Sequence, residues 1–260
     1  MKLAILISGP PRFNKDFDSL IENVKEATSV DWFFYLCNNN PLPDKFNEGI
    51  TERHFISKTW RFFTDIEWAK NKIKSNLPEH HRIADFKVYD HSLIDIPLSV
   101  PLSPPNNSML NHRVWRTHHH WKQVDLMRQA EEERMGQQYD LVFRARPDTG
   151  LVNVLNLEQI KQSGFVEIPT DCWHGNPPIS DILAIGGSDQ MKIYCDLYNN
   201  SLRYYQQGTC AYHAESLLGR HLQENKVPYR TNNWTFVMWR ESSIIKDADG
   251  TEHWDWGNWE

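Results

Sequence analysis

Residues 1–37 read MKLAILISGPPRFNKDFDSLIENVKEATSVDWFFYLC, and the spacing of their apolar positions decides the fold. Leu3 to Ile7 is an unbroken apolar run of strand length, the pattern of a strand buried on both faces. Phe17, Leu20, Ile21, Val24 and Ala27 then recur at three- and four-residue intervals, which predicts a helix opening near a cap at Asn14 or Asp16. Val30 to Cys37 is a second strand. Strand, helix and strand with short connections predict a parallel βαβ unit with a right-handed crossover, and so an α/β sheet.

Working outward, residues 41–108 are broken by Pro41, Pro43, Pro97, Pro101, Pro104 and Pro105, and Lys87-Val88-Tyr89 alone reads as a further short strand. The Pro-rich stretch from Ile96 to Ser108 reads as a long loop and a candidate lid. From Leu110 the spacing of Val114, Thr117, Trp121, Val124 and Met127 predicts a long helix that stops at Gly136. Asp140 to Arg146 follows as a strand closed by Pro147. Further strands are expected at Phe165 to Ile168, Ile182 to Ile185 and Thr235 to Trp239, and helices at about 188–205 and 214–224. The sheet is therefore expected to be mostly parallel and to become mixed in the C-terminal half, with helices on both faces.

The 260 residues carry 28 Lys and Arg against 34 Asp and Glu, a net charge of −6, which argues against a protein that binds nucleic acid by neutralising many phosphates. A 40% hydrophobic share excludes a disordered or collagen-like chain. The apolar run after Lys2 is shorter than a secretory h-region, and no stretch approaches the ~20 apolar residues that span a bilayer, so a cytoplasmic protein without membrane insertion is expected. Cys37, Cys172, Cys195 and Cys210 lack paired spacing and read as free, buried or half-buried thiols.

The strand ending Arg144-Ala145-Arg146-Pro147-Asp148 carries the most chemistry. Alternation puts Leu141, Phe143 and Ala145 on one face and Val142, Arg144 and Arg146 on the other. In open α/β sheets ligands bind beyond the carboxyl ends of strands, and a guanidinium fork matches phosphate oxygens, so the arginines form a candidate anion site; structural ion pairs are the alternative. Ser8-Gly9-Pro10-Pro11-Arg12 occupies the equivalent place after the first strand, and it matches neither the dinucleotide-binding glycine pattern nor a P-loop. His118-His119-His120 lacks the i, i+4 pair of a helical zinc site, and His80-His81 reads as exposed. Trp254 and Trp256 in the tail read as rings docked on the domain or as a sugar-stacking face.

The opening strand with its Ser8-Gly9-Pro10-Pro11-Arg12-Phe13 loop, the Asp31 to Cys37 strand and Tyr139 to Asp148 together resemble GT-A-type glycosyltransferases, in particular poorly characterised bacterial and viral sugar transferases. Ser180-Asp181-Ile182-Leu183-Ala184-Ile185-Gly186-Gly187-Ser188 and His213-Ala214-Glu215-Ser216-Leu217-Leu218 extend the resemblance. It implies a single GT-A-like domain over residues 1–260, with a nucleotide-binding half at 1–150 and an acceptor-side half at 151–260. A nucleotide-sugar donor would then be held by Ser8, Gly9, Arg12, Asn38, Arg144 and Arg146. In that family an Asp-x-Asp motif holds manganese or magnesium against the donor diphosphate, since oxygen ligands suit such hard ions. Here Asp148 matches the last acidic position and Arg146 replaces the first, so a divalent cation held by Asp148 and a metal-free site both stay open.

Removing the proton from an acceptor hydroxyl calls for a carboxylate. Asp181, Asp189 and Glu215 are the candidates, with Asp181 and Glu215 the assigned pair; Glu215 also reads simply as a helix-start residue. The implied reaction moves a sugar from a nucleotide diphosphate to a hydroxyl of a glycan, lipid-linked or small-molecule acceptor. The alternatives are a non-catalytic carbohydrate-binding or scaffolding protein of the same fold and, behind it, a nucleotidyltransferase. Alanine in place of Arg144 or Asp148 is expected to abolish turnover with little change in stability.

Overall fold

The computed structural model describes residues 1–9, 15–38, 66–90, 93–101, 110–170, 179–234, 236–238, 244–246 and 252–254. Strand β1 (Lys2–Gly9), helix α1 (Lys15–Val24) and β2 (Ser29–Asn38) form the expected parallel unit. Helix α2 (Ile66–Asn76) and β3 (His81–Asp90) continue it. Then come α3 (Leu110–Met135), β4 (Leu141–Ala145), β5 (Thr149–Leu151), α4 (Leu157–Ser163) and β6 (Val166–Pro169). The order continues with β7 (Ala184–Gly186), α5 (Ser188–Cys195), α6 (Leu197–Gln206), α7 (Ala214–Glu224) and β8 (Tyr229–Asn232). Strands β9 (Phe236–Met238), β10 (Ile244–Lys246) and β11 (Glu252–Trp254) follow; β9 pairs with β5, and β10 with β11.

The main sheet has the order β3-β2-β1-β4-β7-β6-β8. Strands β3, β2, β1 and β4 are parallel, β7 runs against both β4 and β6, and β8 is again parallel to β6. The α/β architecture and the mostly parallel, mixed sheet match the sequence expectation. Both halves of the chain supply strands to this one sheet, joined by the β4–β7 pairing.

Alternation along β1 and β4 sorts the two faces. Leu3, Ile5, Ile7, Leu141, Phe143 and Ala145 pack under α1, α2 and α4. On the reverse face Ala4, Leu6 and Val142 meet Trp121 and Val124 of α3 and Met191 and Tyr194 of α5. Asp31, near the start of β2, is buried on that reverse face. It accepts from Arg82 Nε and Nη2 of β3, both at 2.7 Å, and from the Tyr139 hydroxyl at 2.5 Å. Burial of a carboxylate is tolerated when its oxygens are filled in this way, and the bonds tie β2 to β3 and to the chain entering β4.

Several expectations are corrected. β3 is ten residues long, not the three of Lys87-Val88-Tyr89. His81, expected exposed, is buried at 1%, because it pairs with Val30 of β2 and its Nδ1 accepts from Trp32 Nε1. The helix expected across 188–205 is two helices meeting at Asp196, whose N–H is shared between the Lys192 and Ile193 carbonyls. Among the described residues Cys37 and Cys195 are buried thiols and Cys210 is a half-buried one, and no disulfide joins them. No helix among the described residues is long and apolar enough to cross a membrane. Arg12, Cys172 and Trp256 lie outside the described residues, as does much of the candidate lid.

Candidate functional site

The sheet's strand directions select one edge. β1, β2, β4 and β6 all end there, while β7 starts there. Ala184 pairs with Arg144, so the segment Ile179 to Leu183 reaches β7 across the carboxyl end of β4. Helix α7 lies against that segment. A Cβ on Gly219 would stand 3.5 Å from Ile179 Cδ1. Its first turn carries Glu215, and His213 precedes it. Two stretches thirty residues and more beyond β4 in the chain are thus brought to the end of β4. The charges of Arg144, Arg146, Glu215 and His213 all act on Asp181.

The two arginines differ sharply. Arg144 is fully enclosed, its guanidinium carbon 4.1 Å from the centre of the Trp121 ring, and Tyr194 of α5 stacks on that same ring at 5.4 Å. Its Nη1 donates to the Asp181 carbonyl, while its Nε has no partner among the described residues. Burial pulls its pKa down from the usual arginine range. Arg146 keeps 35% of its side chain exposed. Its Nε and Nη2 donate to the two Asp148 oxygens at 2.9 and 2.7 Å, a bidentate fork closed within three residues by the turn at Pro147. The Thr149 N–H donates to the Arg146 carbonyl at 3.2 Å and fixes that turn.

Gly9 ends β1 with φ +128, and a Cβ there would stand 3.6 Å from Pro147 Cδ. The position demands glycine for its backbone angle, while the space is ordinary. Ser8 lies on the α3 face, 3% exposed, and its hydroxyl has no partner among the described residues. Asn38 ends β2 on the same edge, and its side chain lies outside the described residues. Asp189 is excluded from the group. Gly186 pairs with Val142, so α5 starts at the opposite edge, where Asp189 accepts from Gln138 at 2.7 Å.

Burial pushes the partly exposed Asp181 carboxyl above its ordinary value and Glu215 adds to the rise, with Arg144, Arg146 and His213 opposing. His213 Nδ1 stands 2.7 Å from Glu215 Oε2, and this hydrogen bond raises the imidazole pKa against the opposing effect of burial. His213, Trp121 and Tyr194 are the residues the sequence reading did not assign to the site. The position of His213 immediately before a helix with an acidic first turn was the available signal for it.

No protein-family model matches the chain, and no curated protein matches it. The residues of the site therefore carry the functional reading.

A carboxylate-held cation does not fit the described side chains. Both Asp148 oxygens are engaged by Arg146, and no group of three His, Cys, Asp or Glu suited to a metal ion occurs among the described residues. What the arrangement offers is a partly exposed guanidinium fixed in orientation, a carboxyl group whose pKa burial raises, and a carboxylate paired with a histidine.

Proposed function

We propose that the protein is a glycosyltransferase of the GT-A kind, moving a sugar from a nucleotide diphosphate to a hydroxyl of a glycan, lipid-linked or small-molecule acceptor. The observation that carries this reading is the meeting of Arg146, Asp148, Asp181 and Glu215 at the carboxyl edge of a mostly parallel sheet, where such folds bind ligands. In the reaction the bond between the sugar carbon and the diphosphate oxygen breaks with its electron pair left on the diphosphate. The acceptor oxygen forms the new bond and gives up its proton. Arg146 faces the charge that develops on the leaving group. Glu215 is the group for the acceptor proton and His213 holds it by a hydrogen bond, while Asp181, whose pKa burial raises, hydrogen-bonds a sugar hydroxyl.

The test is incubation of the purified protein with a panel of nucleotide sugars, with and without manganese, following donor hydrolysis and transfer. Turnover or tight binding of one donor supports the reading. Binding of glycans with no affinity for any nucleotide sugar would favour a carbohydrate-binding protein on this fold, and diphosphate release from a nucleoside triphosphate would favour a nucleotidyltransferase.

A further inference from the structure

We infer that Arg146, held in place by Asp148, takes the role of a divalent cation at the donor diphosphate, so that donor binding needs no added metal. The inference rests on the nucleotide-sugar reading and goes beyond it by assigning unequal roles to three residues of one short segment.

Arg144 is removed from ligand contact by its enclosure and by the Trp121 ring over its guanidinium. Of these two arginines it is Arg146 that reaches solvent. Asp148 bonds through both oxygens to the Nε and Nη2 side of that guanidinium, which leaves Nη1 without a partner among the described residues. A guanidinium has five N–H donors in one plane. With two of them fixed, the plane is set and the remaining donors are aimed before any ligand arrives, which reduces the side-chain entropy lost on binding. Asp148, itself 3% exposed in its side chain, is thereby a positioning residue for Arg146. The unpartnered hydroxyl of Ser8 and the backbone of Gly9 against Pro147 lie at the same strand ends.

The experiment is calorimetric binding of uridine, guanosine, cytidine and thymidine diphosphates to the full chain, once in excess EDTA and once in manganese. The expected result is binding of at least one nucleotide with affinities that agree within about twofold between the two buffers. Arg146→Lys, which replaces the fork with a point charge, is expected to weaken that binding by about tenfold or more. Asp148→Asn weakens it by a similar factor in the native background and has no further effect on binding in an Arg146→Gln background. A residue acting only on the general fold would lower affinity in both backgrounds. Thermal melting of each variant separates loss of binding from loss of folding, and the metal comparison on the unaltered chain requires no variant at all. Binding that appears only with manganese overturns the inference and leaves the transferase reading standing. Failure of every nucleotide to bind in both buffers overturns both.

Discussion

Replacing Arg144 with alanine and, separately, with methionine tests whether its buried guanidinium is a structural strut. The side chain is fully enclosed, so truncation to alanine leaves a cavity, which in cores costs about 2–5 kcal/mol. The contact with Trp121 at 4.1 Å is worth about 2 kcal/mol when desolvated. The partly buried Asp181 carbonyl would lose its donor, at about 1 kcal/mol. Opposing these losses is relief from holding a charge in the interior with Nε unpartnered, an effect of a few kcal/mol. The net expectation is a loss of about 3 kcal/mol for Arg144→Ala, or about 6–12 °C in Tm at roughly 2–4 °C per kcal/mol. Methionine refills the stem volume and removes the charge, so Arg144→Met should lose about 1 kcal/mol or less. Enclosure thus reverses the sequence-based expectation that the alanine variant keeps its stability. Urea and thermal unfolding of the three proteins measure the difference. An alanine variant as stable as the parent, or a methionine variant as unstable as the alanine one, would refute the account.

Arg128→Met is expected to lose about 3–5 kcal/mol in urea unfolding, because Asp125 and Glu132 would be left buried without the guanidinium that bonds them at 2.7 and 2.5 Å; a loss under about 1 kcal/mol would contradict this. Asp181→Asn should raise Tm at pH 7 by a few °C while removing activity. The sign follows from the raised folded-state pKa: ionisation above the unfolded value near 3.9 is opposed by the fold, so the gain disappears once both states are protonated, and a gain that persists at pH 3 would count against burial as its cause. His213 has a raised folded-state pKa, so its pairing with Glu215 contributes fully below about pH 6.5 and fades as pH climbs through the folded value. Stability profiles of the parent and His213→Gln should then diverge on the acidic side and converge on the alkaline side; parallel profiles would refute the pairing. Gly9→Ala should cost about 1–2 kcal/mol through its positive φ and not through collision with Pro147, and a neutral effect would show that the backbone relaxes.

The N-terminal βαβ unit was legible because β1 is buried over nearly its whole length and therefore apolar throughout, and because α1 buries one stripe at helical spacing. α2 was missed, and β3 was read only at Lys87-Val88-Tyr89, for the opposite reason. α2 buries Ala69 and Ile73 alone, and β3 is one of the sheet's two edge strands, half exposed and mixed in polarity, so neither displays a strong period. β5 and β9 hold three residues each, too few for alternation to register. The break between α5 and α6 carries neither glycine nor proline at Asp196, which left no sequence mark of it.

The chain's own pattern placed Arg144 and Arg146 at the end of a strand in an α/β sheet, with Arg144 on the face of Val142 because side chains alternate along any strand; β4 itself ends at Ala145, one residue before Arg146. Which of the two can meet a ligand was decided only by tertiary structure: Trp121 and Tyr194, brought from two separate helices, cover the strand as far as residue 144, and the cover ends before residue 146. Periodicity fixes the direction in which a side chain points, but the reach of the helices above it depends on contacts between distant parts of the chain, and those same contacts bring Asp181, His213 and Glu215 to the end of β4.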